Sequence, residues 1–330
     1  MNSDPVRVSR IDFLKAIPSL RLFEAVPLAF SLQALVPAFL AAVMGTWIVN
    51  AFPVYESPRL FLDGRPLSEG RPALLIAMEH TVRHIAVHGF GAGISVLPRL
   101  LLLSIVLPFV AVSVARAAGL RFCSDRRSGA IRSMRHARRS WVAIAIGLSL
   151  EFAICGFFVA VFRASLLITQ VAPDMMSSGW ATAVPGWTAA VLLIAVLAVC
   201  GVGWLLSLAA IGVDSCDGPE SLSRGICYVL SRFRMTVLQL AVVMMLTYLS
   251  AEAVSVICSR AASLVEEGLG IQYESNVFRG NDPFWVLTGV AADTFGLSVF
   301  FSGITVCYVL VRQAEDGVSL TEIDGGKSRV

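Results

Sequence analysis

Six apolar runs divide the chain, at residues 25–49, 95–115, 141–162, 185–213, 235–257 and 284–311. A helix needs ~20 mostly apolar residues to cross the hydrocarbon layer of a bilayer, and each run supplies that length. The runs carry few charges: Arg99 near the start of the second, Glu151 in the third, Glu252 in the fifth and Asp293 in the sixth. The pattern predicts an all-α fold, a polytopic bundle of six transmembrane helices forming one integral membrane domain over 1–330.

The polar segments between the runs have a pattern of their own. In 130–141 the apolar positions Ala130, Met134, Ala137 and Trp141 recur at i, i+4, i+7 and i+11, one face of a helix. Arg132, Arg135, Arg138 and Arg139 fall on the other face, toward water and lipid phosphate. A shift of 92 residues puts Leu222, Ile226, Val229 and Phe233 in the same register, Arg132 on Arg224 and Asp125 on Asp217. Asp217-Gly-Pro-Glu220 reads as a helix start, with an acid cap and a glutamate three residues later. Ile11 to Arg21 has a similar layout with poorer periodicity, interrupted by Pro18. These segments predict amphipathic helices lying at the membrane interface, and weak internal repeats starting near 11, 125 and 217. Any basic loop before a span shares some of this amphipathic look, which is the competing reading. A fourth amphipathic stretch, 73–88, lies in the long loop 51–94. It predicts another interfacial helix, joined to the second span by a glycine hinge at Gly89–Gly93.

Composition agrees with a membrane domain. The chain is 56% hydrophobic and 15% charged, with a mean hydropathy of +0.76; soluble domains carry about 25% charged residues. The net charge of +3 is small and spread over short loops, so nucleic acid is not an expected partner. The polar N-terminus gives no cleavable signal peptide. With the N-terminus inside, 18 of the 26 Lys and Arg residues fall on one side. Eight of these lie between Arg116 and Trp141. The positive-inside rule then places both termini in the cytoplasm of a cytoplasmic (inner) membrane. Anionic headgroups at the cytoplasmic face become the expected partner, contributing about 1 kcal/mol per basic residue near the surface.

Three constellations could carry chemistry. Acids inside spans mark a functional site by default, so Glu151, Glu252 and Asp293, with Arg99, are the intramembrane polar candidates. Asp293 belongs to a small-residue stripe with Gly289, Gly296 and Gly303, which directs it into the bundle; Glu151 stands between Gly147 and Cys155 at i−4 and i+4. A proton or cation path is one reading. The plainer one pairs these acids with Arg99, Arg163 or hydroxyls. His80, His84 and His88 share a helical face, and adjacent i, i+4 histidines can hold a metal. All three cannot bind one ion, because eight residues span ~12 Å of helix; a third ligand would come from Glu79 or Asp174. A metal or haem site on the outer face competes with a merely wet helix face. The seven cysteines are scattered without CxxC, so a disulfide framework or zinc ribbon is not expected. They read as small hydrophobes, and no cofactor is expected. P-loop, GxGxxG and GxSxG signatures are absent.

The segments Ser113–Trp141 and Val213–Phe233, with their "acid, then Leu-Ser-Arg, then Tyr, then Arg-Phe" element, resemble cytoplasmic loops of uncharacterised bacterial multi-pass membrane proteins. The tail Tyr308–Asp324 is similar to the closing pattern of that family. The layout more distantly resembles the helical membrane domain fused to glycerophosphodiester phosphodiesterases, whose catalytic part has no counterpart here. The resemblance implies a membrane bundle and no particular activity. The expected function is therefore a non-enzymatic structural or accessory component of the membrane, with a protein partner there. The alternatives are a transporter or channel using the three acids, and the histidine site.

Overall fold

The computed structural model describes residues 18–51, 73–124, 126, 128–171, 179–269 and 283–317. Among these the chain is helical, with no strand, so the fold is an all-α bundle. A 3-10 turn, η1 (Pro18–Glu24), leads into α1 (Ala25–Ala29) and α2 (Leu32–Ala51). Then come α3 (Ala73–Ser124), α4 (Ala130–Arg139), α5 (Trp141–Val171), α6 (Gly179–Asp214), α7 (Gly218–Ser231), α8 (Phe233–Leu269) and α9 (Pro283–Asp316). Five of these hold a stretch long and apolar enough to cross a membrane, in α3, α5, α6, α8 and α9; counting the bent pair α1–α2 as one span makes six. This is the architecture of a multi-pass membrane protein.

Helices α5 and α8 run on past their apolar runs, to Val171 and Leu269, and two elements depart further from the sequence expectation. The first apolar run is not one helix but two, bent by 73°. Pro27 lacks an amide donor, and Ser31 closes the break: its Oγ donates to Leu28 O at 2.7 Å, and its own carbonyl starts α2 by accepting from Ala34 and Leu35. The break strands Ala29 O, which would be costly in an apolar interior. Ser298 of α9 donates to it at 2.8 Å. The second difference is at Gly89–Gly93, where no hinge forms. Helix α3 runs unbroken through it for 52 residues, ~78 Å at 1.5 Å per residue and far more than a bilayer needs. The segment 73–88 is thus the start of α3 rather than a separate interfacial helix.

The topology is cyclic. Three hairpins, α2/α3, α5/α6 and α8/α9, each follow a short helix: η1–α1, α4 and α7. Each short helix lies across the hairpin that precedes it. Helix α4 packs on α2 and α3, α7 packs on α5 and α6, and η1 packs on α8 and α9, which closes the ring. The three return helices α3, α6 and α9 all touch one another and make the centre. Among the described residues the short helices begin at 18, 130 and 218; the stretch 11–17 of the first expected repeat lies outside them.

Close approach sets the centre. Gly212 of α6 lies against α3, where a Cβ would sit 2.6 Å from Ala115 Cβ; Gly119 of α3 meets Val213 in return. Small residues at such crossings let helix backbones touch and gain dispersion contacts in lipid. One buried cluster joins Leu22, Ala25 and Leu28 to Leu206, Ala210, Tyr228, Tyr308 and Leu310. The outer surface is apolar, with Phe157, Leu192, Ile194, Met244 and Ile257 exposed. Trp47 and Trp187 are 66% and 75% exposed, as rings at a membrane–water boundary would be.

Candidate functional site

The densest polar chemistry gathers at the arginine-rich end of the bundle, where α6 stops. Ser215 adopts a left-handed backbone (φ 59) and its amide bonds Ile211 O at 3.2 Å, which ends the helix. The carbonyls left over at a helix C-terminus attract cations. Arg116 of α3 donates from Nη1 to Val213 O at 3.0 Å and to Gly212 O at 3.5 Å. His136 of α4 approaches Ile211 O through Nε2–H at 3.4 Å. Burial lowers the His136 pKa from its ordinary value, and the Arg116 charge adds to the effect.

Asp214 is the last residue of α6, and it organises the rest. Tyr308 donates its hydroxyl to Asp214 Oδ2 at 2.5 Å, and Arg312 forms an ion pair with Oδ1. Arg224 of α7 lies 3.5 Å from the same carboxylate. Around this centre, Tyr228 donates to Asp316 at 2.6 Å, Arg232 pairs with Glu315 at 2.7 Å, and Arg224 pairs with Glu220 at 2.6 Å. The Tyr228 and Tyr308 rings meet at 5.9 Å. Tyr308, Arg312 and Asp316 share one face of α9 by i, i+4, i+8 spacing. The clamp thus ties α6, α7 and α9 together. Burial and the Asp316 hydrogen bond raise the Tyr228 pKa. Burial, with the Asp214 charge behind it, pushes the Cys216 thiol up to about 11. Both groups stay protonated near neutrality and hold position rather than exchange protons.

Helix α4 is amphipathic as its spacing predicts. Arg132, Arg135, Arg138 and Arg139 are all exposed, while Ser133 and Ala137 are buried. The buried face is turned slightly from the Ala130/Met134/Ala137/Trp141 line, and Ser133 is held by Ser128 at 3.1 Å. On α7, Leu222 and Val229 are buried, but Phe233, the first residue of α8, is 55% exposed. Asp217 takes the N-cap backbone conformation without a side-chain cap bond. Glu220 turns to Arg224 instead of closing a capping box.

The intramembrane candidates fall in different places. Asp293 on α9 is 2% exposed and engaged with a neighbour, and Gly296 and Gly303 of its stripe press on Ala251 and Val243 of α8. Glu252 on α8 is partly buried, next to buried Ser255. Glu151 on α5 is 7% exposed; its neighbour is not Arg99 or the exposed Arg163 but the Cys155 thiol, 3.7 Å away. Arg99 is buried on α3 with its Nε unpartnered. Glu151 and Asp293 sit on helices with different main neighbours, α5 on α6 and α7, α9 on α8, α2 and α3. The side chains of His80, His84 and His88 lie outside the described residues.

Sequence reasoning missed Asp214, Tyr308, Arg312 and Asp316. One signal was present: an i, i+4, i+8 row of Tyr, Arg and Asp at the end of an apolar run, next to a second run ending in Asp. No protein-family model, curated protein or solved structure matches the chain.

Proposed function

We propose that the chain is a non-enzymatic structural or accessory component of the cytoplasmic membrane, with both termini and the arginine-rich end on the cytoplasmic side. The observation that supports this reading most is the Asp214 clamp. Its polar side chains are used on one another and on helix ends, and join three helices into a rigid platform. The exposed arginines of α4 project from the same end, where the anionic leaflet would hold them. A platform of this kind suits docking a membrane partner. In mild detergent, a stable partner should co-purify with the tagged full chain, and a lone monomer under conditions that preserve known complexes counts against the role. A reporter inserted after Gly129 should read cytoplasmic; a periplasmic reading removes the orientation and the headgroup contact with it.

A transporter or channel is the second reading, supported by the burial of Asp293 and Glu151 within spans. It requires Asp293→Asn to abolish an ion-coupled flux while the protein stays folded. An unchanged flux rejects it.

A further inference from the structure

Two helices bring ligating side chains together at one depth in the bundle. Glu151 and Cys155 stand one turn apart on α5, and Cys200 faces them from α6. A carboxylate oxygen and two sulfurs lie within 4.8 Å of one another. Cys155 Sγ is 3.7 Å from Glu151 Oε1. Glu151 is 7% exposed and Cys200 5%. Glu151 Oε2 is buried with no hydrogen-bond partner, a costly state for a polar group.

The helices are held close at this site. One turn before Glu151, Gly147 lets the Trp204 ring lie against α5, where a Cβ would stand 2.8 Å from the ring. Trp204 is one turn beyond Cys200 on α6. This contact holds α5 against α6 one turn from the ligands.

We infer that Glu151, Cys155 and Cys200 form an intramembrane site for one thiophilic metal ion, Zn(II) or Cu(I). Sulfur ligands select these ions over Mg(II) and Ca(II), which take oxygen ligands. Two ligands of one tetrahedral zinc are about 3.5–3.8 Å apart, given Zn–S near 2.3 Å and Zn–O near 2.1 Å. The observed spacing of at most 4.8 Å lies about 1 Å from these distances. On binding, two S–H bonds break, two metal–sulfur bonds form and two protons leave to the buffer. Exchanging two protons for Zn(II) leaves the net charge of the site, Glu151 included, unchanged, which reduces the cost of holding the ion in an apolar interior, whereas the same exchange for Cu(I) adds one negative charge. The oxygen now left unpartnered becomes the third ligand. The site does not depend on the orientation or role proposed above.

The test uses the reduced full-length chain in detergent, under anaerobic conditions. It is incubated with Zn(II) in one arm and Cu(I) in the other, then passed through a column with a weak competing chelator. One ion per chain should be retained in at least one arm, and the arm identifies the metal. Cys155→Ser and Cys200→Ser should each lose it, whereas Cys258→Ser on α8 should keep it. X-ray absorption on the loaded wild type gives a readout that needs no variant, and should show two sulfur neighbours and one oxygen. No retained ion in either arm, retention unaffected by both serine variants, or a first shell without sulfur would each overturn the site.

Discussion

Tyr308 donates its hydroxyl to Asp214 across 2.5 Å, and Arg312, one turn further along α9, pairs with the other oxygen of the same carboxylate. One side chain at the end of α6 thus satisfies two on α9. Tyr308→Phe removes a hydrogen bond to a charged acceptor, worth about 1.5–3 kcal/mol. Asp214→Ala does more, because it leaves Arg312, 15% exposed at its side chain, without its main counter-charge. A loss of about 3–5 kcal/mol is expected for breaking a buried pair from one side. Thermal unfolding in a single detergent should rank wild type above Tyr308→Phe and that above Asp214→Ala. The double variant Asp214→Ala/Arg312→Met should recover part of the loss. Equal melting temperatures for all would show that the clamp contributes no stability.

Helix α7 crosses α6 where two glycines face each other. A Cβ on Gly225 would run into the backbone carbonyl of Gly203, and backbone cannot yield as a side-chain tip can. Gly225→Ala should destabilise by about 1–3 kcal/mol, the usual range for overpacking. Gly156→Ala is the control, since a Cβ there meets nothing within 4 Å. Paired unfolding curves read the difference, and an unaltered Gly225→Ala melt would contradict the crossing geometry.

These two sites mark the boundary of what the chain discloses before folding. The apolar runs and the polar face of α4 were legible, because both follow from helix period and the length a bilayer imposes. Arg132, Arg135, Arg138 and Arg139 are exposed as that period requires. The clamp was not legible. Asp214 and Tyr308 are 94 residues apart, and only the cyclic packing of three hairpins brings their helix ends together. The same holds for Cys200 beside Glu151. The break at Phe30–Ser31 was hidden for another reason: its stranded carbonyl is satisfied by Ser298, 269 residues away, so no local signal could show it was affordable.

His136 gives a pH signature. Its folded pKa lies below the ordinary 6.5 through burial and the Arg116 charge. Above the ordinary value both folded and unfolded chains hold a neutral imidazole, and this group's contribution is fully present. As pH falls below 6.5, the unfolded chain takes the proton first, so stability is lost down to the folded pKa and then levels off. Melting temperature should therefore fall between about pH 7 and pH 5, and His136→Gln should flatten that part of the curve. An identical pH dependence in wild type and variant would remove His136 from the explanation.

The α4 arginines divide the basic residues of this end into two classes with different readouts. Arg232 and Arg312 are committed to Glu315 and Asp214, so replacing them should lower stability. Arg132, Arg135, Arg138 and Arg139 are exposed, so replacing them with glutamine should leave the melting temperature nearly unchanged. On the headgroup reading, each is worth about 1 kcal/mol toward anionic lipid, roughly a fivefold change in relative association per residue. Spin-labelled phosphatidylglycerol and phosphatidylcholine, compared in nanodiscs of mixed composition, measure that ratio directly. The wild-type preference for the anionic lipid should weaken as salt shortens the screening length and collapse in the fourfold glutamine variant. A preference that survives both treatments would place the lipid contact elsewhere and leave these four arginines with a topogenic role alone.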